Sequence, residues 1–87
     1  MLVEKQYIGK NQINGVNRCY YILKKNDLYG IEIIEEYDSK LLSASEYFTS
    51  NYESADRLAR LLYKGCVTLV TFIEILDDYV SMEQFAV

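Results

Sequence analysis

The sequence predicts an α+β domain in which a four-stranded antiparallel β-meander is followed by two α-helices packed on one face of the sheet. Residues 1–48 are rich in Tyr, Ile, Val and Leu, broken at short intervals by Gly, Asn, Asp and Ser, a pattern typical of strands joined by tight turns. After about residue 50 the apolar residues recur with helical spacing. We expect one domain for 87 residues: a meander at 1–48, helices at 51–64 and 68–81, and a loose tail at 82–87.

The first two strands are defined by the turn between them. Asn14-Gly15 is typical of a type I′ hairpin turn, since both central residues of that turn need a positive φ. It would join a strand at about 2–13 to a strand at about 16–24. Gly9 lies within the first strand and predicts a bulge or an early strand end.

Two further turns define the rest of the meander. The turn Lys25-Asn26-Asp27 separates the second strand from a third at about 28–36, because Asn and Asp side chains can bond their own backbone in turns. Asp38-Ser39 separates the third strand from a fourth at about 40–48. On the second strand one face carries Cys19, Tyr21 and Leu23, and the other carries Arg18, Tyr20, Ile22 and Lys24. This alternation does not say which tyrosines are exposed.

The first helix begins at a predicted capping box, Ser50 to Glu53, in which each side chain bonds the backbone N–H of the other residue. Its core stripe is Ala55, Leu58, Ala59 and Leu62. Gly65 is the predicted left-handed residue that ends the helix.

The second helix is predicted to begin at the N-cap Thr68, with Val67 and Phe72 forming a hydrophobic staple. Ile75 lies to one side, where it could be exposed or contact a partner, and the helix should end near Ser81. The predicted core arc consists of Leu69, Phe72, Ile73, Leu76, Tyr79 and Val80.

Two segments resemble a family of short Firmicutes proteins, mainly clostridial, that is classed as a domain of unknown function. They are Tyr29-Gly30-Ile31-Glu32-Ile33, and Val67-Thr68 followed by Phe72, Ile75-Leu76 and Asp78-Tyr79-Val80. The resemblance spans roughly residues 18–80 and implies the same order of strands and helices. Leu69 stands where that family often has Pro at the first helical position, a residue that only pre-organises the helix start. The resemblance implies no functional site.

The residue types argue against enzymatic or metal chemistry. There is no His, so the side chain best suited to acid–base work near neutral pH is missing. Cys19 and Cys66 cannot supply the four ligands of a structural zinc site; we expect two small buried hydrophobes, although a disulfide is geometrically open. Glu35 and Glu36 should project to opposite faces of their strand. We therefore predict no enzyme activity, no cofactor and no metal.

The charge distribution points to a protein partner. The net charge is −4, and it lies entirely on the last helix and tail, where Glu74, Asp77, Asp78 and Glu83 occur without a base. Such a surface attracts a basic partner and argues against direct binding to nucleic acid. The N-terminus has no apolar signal core and no stretch reaches membrane-spanning length, so we expect no membrane association and a cytoplasmic location.

Nine tyrosines suggest an aromatic contact surface, because Tyr is enriched at protein interfaces. The preferred interpretation is a small, acidic, bacterial, non-enzymatic module that binds a partner protein in a regulatory or adaptor role. The alternative is an inhibitor that mimics nucleic acid, such as an anti-CRISPR-type phage protein. A homodimer through a sheet edge or face is also open. The candidate partner-binding residues are Tyr20, Tyr29, Glu74, Asp77 and Asp78.

Overall fold

Four ten-residue strands pair in chain order to form one antiparallel sheet, and two helices pack against it. The computed structural model describes residues 4–75. The elements are β1 (Glu4–Ile13), β2 (Val16–Lys25), β3 (Leu28–Tyr37), β4 (Lys40–Thr49), α1 (Tyr52–Lys64), and a second helix, α2, that is described over 69–75. The predicted α+β meander with two helices on the sheet is confirmed.

All three predicted turns are present. Asn14 and Gly15 both have positive φ, of 54° and 79°, as a type I′ turn requires. Asp38 and Ser39 also both have positive φ, of 48° and 62°, and Asn26 has a φ of 57°. The short loops fix the register of each hairpin, so each strand lies beside its sequence neighbour.

A bulge in β1 lies where Gly9 predicts it. The register between β1 and β2 shifts between Tyr7 and Gly9. Glycine is needed here because a Cβ on Gly9 would lie 2.6 Å from the Tyr63 ring, which packs on this backbone from α1. The bulge thus lets α1 approach the sheet closely.

The helix α1 ends at Lys64 as predicted, but its N-cap and the left-handed residue that follows it are each displaced by one residue. The N-cap is Asn51 rather than Ser50: the Asn51 side chain accepts a hydrogen bond from the Ser54 N–H at 3.3 Å. At the other end Gly65 has a φ of −83°, and Cys66, with a φ of 51°, takes the left-handed position. The N–H of Cys66 donates to Tyr63 O, and that of Val67 donates to Leu62 O, which is a Schellman ending.

The start of α2 is confirmed and its rotation is corrected. The Thr71 N–H donates to Thr68 Oγ1 at 3.2 Å, so Thr68 is the N-cap. Phe72 is fully buried as predicted, but Ile73 is 43% exposed and Ile75 packs against the core. The core-facing side of α2 therefore includes Ile75 and excludes Ile73, so the helix is rotated about its axis relative to the prediction. The predictions for Leu76, Tyr79 and Val80, the helix end near Ser81 and the tail at 82–87 fall outside the described residues.

The core lies between the helices and one face of the sheet. It consists of Tyr20, Ile22, Ile31, Ile33, Ala55, Ala59, Leu62 and Phe72, with Leu58 and Val67 among the half-buried residues around it. The predicted stripe of α1 is confirmed by this list. Over residues 4–75, no helix is both long and apolar enough to cross a membrane.

Candidate protein-interaction surface

The sheet has two unlike faces. Tyr20, Ile22, Ile31 and Ile33 point toward the helices, and we call their side the covered face. Because directly paired residues share a face and successive residues alternate, the register defines the opposite side, the open face. It carries Lys5, Tyr7 and Lys10 from β1, Cys19, Tyr21 and Leu23 from β2, Glu32, Ile34 and Glu36 from β3, and Leu41, Ser43, Ser45 and Tyr47 from β4. Both helices, as far as residues 4–75 describe them, pack on the covered face.

Three tyrosines of the open face surround one ion pair. The rings of Tyr7 and Tyr21 meet edge to face with centroids 5.8 Å apart. Lys5 Nζ lies 2.6 Å from Glu32 Oε1 and 5.6 Å from the centre of the Tyr21 ring. Tyr47 lies in the same cross-strand row as Lys5, with only Leu23 and the side-chain-free Gly30 between them. We call Lys5, Tyr7, Tyr21, Glu32 and Tyr47 the tyrosine patch.

The patch carries hydroxyl groups and rings rather than net charge. The hydrogen bond and charge of Glu32 raise the pKa of Lys5 despite its partial desolvation, so Lys5 stays protonated beside the Glu32 side chain, whose charge balances it. Burial raises the pKa of Tyr21, which keeps its hydroxyl protonated at neutral pH. Tyr7 remains 57% exposed. The patch therefore offers aromatic area and hydrogen-bonding hydroxyls.

Tyr20 and Tyr29, the tyrosines singled out from the sequence, lie elsewhere. Tyr20 is fully buried on the covered face, where its hydroxyl donates to Val67 O at 2.8 Å. This placement corrects the expectation that Tyr20 contributes to an exposed surface. Tyr29 is half-buried on the same face and meets the Tyr52 ring edge to face at 5.5 Å. It lines a groove of about 500 Å³ with Lys24 and Tyr52 at one end of the sheet.

The acidic candidates are only partly described. Glu74 is exposed on α2. Asp77 and Asp78 lie outside the described residues. The structure therefore does not bring the three carboxylates together in any described arrangement, and the acidic surface stays a prediction.

The sequence contained a signal for the tyrosine patch. Alternation separates Tyr21 from Tyr20, and it places Tyr21 on the same face as Glu32 through their direct pairing. Lys5, Glu32 and Glu36 mark that face as partly solvated. The alternation alone does not show which face is buried, because β2 presents large apolar side chains on both faces.

On the covered face, the carboxylate of Glu35 is part of a polar network that joins β2, β3 and the start of α2. Arg18 is only 7% exposed, and its Nε donates to Glu35 Oε2 at 2.7 Å. The Leu69 N–H, at the start of α2, donates to the same oxygen at 2.9 Å. Burial lowers the pKa of Arg18, but the hydrogen bond and charge of Glu35 outweigh it and the net shift is upward. Glu36, by contrast, is exposed on the open face, as predicted.

The two cysteines are free thiols on opposite sides of the sheet. Cys19 lies on the open face, whereas Cys66 follows α1 on the covered side, close enough to Tyr20 to influence its pKa. Both are half-buried, so the expectation of two buried residues is corrected, and the sheet separates them. Over residues 4–75 no three His, Cys, Asp or Glu side chains are grouped so that they could hold a metal ion.

Comparison with known proteins identifies the family of the chain but assigns it no activity. No curated protein and no solved structure matches the chain. A model of a protein family of unknown function, DUF6514, matches residues 1–82. The match spans all four strands and both helices as described, so the chain belongs to the DUF6514 family.

Proposed function

We propose that the protein is a small non-enzymatic interaction module that binds a partner protein through the tyrosine patch. The observation that carries this proposal is the edge-to-face pair of Tyr7 and Tyr21 beside the self-neutralised Lys5–Glu32 pair on the open face. Tyrosine gives a large contact area at a low cost in conformational entropy, and it is enriched among the residues that dominate binding energy.

The rigidity of the patch favours a binding role. Tyr21 and Glu32 lie on the two central strands and are directly paired. Their backbones are held on both sides, so a partner need not order them on binding, which leaves more of the contact energy as affinity.

The charge of the patch favours protein over nucleic acid. Surfaces that stack single-stranded bases combine aromatic rings with unpaired cations that follow the phosphate backbone. The patch has one cation, Lys5, and Glu32 neutralises it at 2.6 Å. The matching partner surface is therefore apolar and hydrogen-bonding, with little net charge. An adaptor or regulatory role in a bacterial cytoplasm is part of this proposal; the resemblance of the β3 motif to short clostridial proteins supports the bacterial origin and not the role.

Site-specific photocrosslinking tests the proposal with a matched control. A benzophenone amino acid replaces Tyr7 in one variant and Leu61 in the other; these residues are 57% and 60% exposed, on the open face and on α1. We expect nuclease-treated host lysate to give one protein adduct from position 7 and none from position 61. In that background, Tyr47→Ala should lower the yield about tenfold, as loss of a dominant contact does.

Two results would contradict the proposal. One is the same adducts from positions 7 and 61, since contact would then not depend on the open face. The other is an adduct from position 7 that disappears after nuclease treatment, which would favour stacking of nucleic acid on the tyrosines.

A further inference from the structure

The two edge strands of the sheet, β1 and β4, differ in how well they are protected against pairing with a strand of another chain. β1 has charged residues at Glu4, Lys5 and Lys10 and a bulge before Gly9. In β4, residues 41–45 read Leu-Leu-Ser-Ala-Ser and contain no charge, Pro or Gly. This segment pairs regularly with β3. The register shift between β3 and β4 lies outside it, between Tyr29 and Gly30 of β3, beyond Glu46 of β4. Charges and bulges are the usual means of blocking an edge, so 41–45 is the unguarded edge.

The outward-facing backbone groups of β4 follow from its hairpin. In the two-residue turn at Asp38-Ser39, the N–H of Lys40 points back to Tyr37. Hydrogen bonding to the partner strand alternates along an antiparallel pair. The N–H and C=O groups of Leu41, Ser43 and Ser45 therefore point away from β3. Over residues 4–75 the sheet contains no strand that pairs with them.

The sequence of β4 is complementary to itself about Ser43. In an antiparallel pair with a two-fold axis at this residue, Lys40 lies opposite Glu46 of the second copy, on both sides of the axis. Leu42 lies opposite Ala44, a large side chain against a small one. Centring the axis on Leu42 instead would set Glu46 against Asp38, a like-charge pair, and centring it on Ala44 would set Lys40 against Phe48.

The charges that this register joins are unpaired in the single chain. Within residues 4–75, neither Lys40 nor Glu46 forms an ion pair. Leu42 is 46% exposed on the covered face, so the helices, as described over residues 4–75, do not cover this end of β4, and Leu41 is 67% exposed on the open face. Opposite charges directly across an antiparallel pair stabilise it, and like charges destabilise it.

We propose that two copies of the chain dimerise through β4, antiparallel and centred on Ser43, to form a continuous eight-stranded sheet. Lys40 and Glu46 of each copy pair reciprocally and fix the register. The dimer leaves the rings of Tyr7 and Tyr21 uncovered and carries two tyrosine patches on one face. The inference does not rest on the proposed function, because it concerns the edge rather than the open face.

Charge reversal tests the register. Sedimentation equilibrium should show a dimer for the wild type. Lys40→Glu and Glu46→Lys should each raise its dissociation constant about tenfold or more, since two attractive pairs become repulsive. An equimolar mixture of the two single variants should form a heterodimer, because each then supplies the charge that the other lacks. Circular dichroism checks that both variants remain folded.

A proline variant tests the edge itself. The Ser43 N–H points outward, so Ser43→Pro spares the bonds to β3 and should abolish the dimer while leaving the fold intact. A wild-type chain that stays monomeric at several hundred micromolar overturns the proposal. So does a dimer that Ser43→Pro leaves unchanged, or one that neither charge reversal weakens.

Discussion

The two faces of the sheet contain consecutive residues of the same type that differ in burial. Tyr20 is buried under the helices, and Tyr21 belongs to the tyrosine patch. Ile33 is fully buried, and its neighbour Ile34 is only half-buried on the open face. For these pairs, position on the pleat rather than residue type decides whether the side chain packs under the helices. The open face also has a buried residue, since Leu23 is only 3% exposed there.

The largest expected difference between the faces is at the two isoleucines. Ile33→Ala should lower the free energy of unfolding by about 3 kcal/mol, because it leaves a cavity in the core. Ile34→Ala should lower it by about 1 kcal/mol, since the half-buried side chain loses less contact. Urea unfolding followed by circular dichroism measures both. Equal losses would mean that the open face is covered as well.

The adjacent glutamates should show a difference of similar size. Glu35→Gln removes the charge that balances the buried Arg18 and weakens the bond to the Leu69 N–H, so we expect a loss of about 2–3 kcal/mol. Glu36→Gln, on the exposed side, should change stability by less than about 0.5 kcal/mol. Thermal unfolding of the two variants makes the comparison. Similar melting temperatures would show that the Arg18–Glu35 pair does not anchor α2.

The adjacent tyrosines should differ through one hydrogen bond. Tyr20→Phe deletes the bond to Val67 O and should cost about 1 kcal/mol. Tyr21→Phe should cost less than about 0.5 kcal/mol, because its hydroxyl lies at the open face. Chemical unfolding at pH 7 tests the pair, and a larger loss for Tyr21→Phe would contradict the placement of the two rings.

The same tyrosines should govern stability in alkali. Burial raises the pKa of Tyr20, with Asn11 and Arg18 partly opposing it, and burial also raises the pKa of Tyr21. The unfolded chain then releases these protons first, so stability should be complete below about pH 10 and fall as the pH rises beyond it. Tyr20→Phe removes one contribution and should make the fall shallower. Unfolding free energies measured from pH 8 to 11 would contradict this account if that variant fell as steeply as the wild type.

Effects of opposite sign are expected at the two cysteines. Cys66 occupies a left-handed position at the end of α1, so Cys66→Gly should raise stability by about 0.5 kcal/mol after the loss of its thiol. Cys19→Gly, within β2, should lower stability by about 1 kcal/mol. Differential scanning calorimetry under reducing conditions resolves both signs. A stabilised Cys19→Gly variant would contradict the regular pairing of β2.

The strands and turns were predictable because their signals are local. Asn14-Gly15 and Asp38-Ser39 fix hairpins whose two-residue loops also set the register. The N-cap of α1 and the left-handed residue after it were each misplaced by one residue because capable residues are adjacent: Ser50 stands beside Asn51, and Gly65 beside Cys66. In each case neighbouring contacts select the residue that takes the special conformation.

The identity of the covered face could not be predicted from local signals. It depends on contacts between distant residues, such as Glu35 with the Leu69 N–H and Tyr20 with Val67 O. Tyr20 was a candidate surface residue because Tyr is enriched at interfaces, but its hydroxyl bonds to Val67 O, 47 residues away in the chain. The tyrosine patch became recognisable only once these contacts assigned the other face to the core.

Hydroxyl-radical footprinting of the tyrosines, in the free protein and in its complex with the crosslinked partner, tests the central claim most directly. We expect Tyr7 to be oxidised rapidly and Tyr20 to be protected in the free protein. Binding of the partner should then protect Tyr7 while Leu61 keeps its reactivity. Protection of Tyr7 in the free protein, or unchanged reactivity of Tyr7 in the complex, would contradict the assignment of the open face as the partner-binding surface.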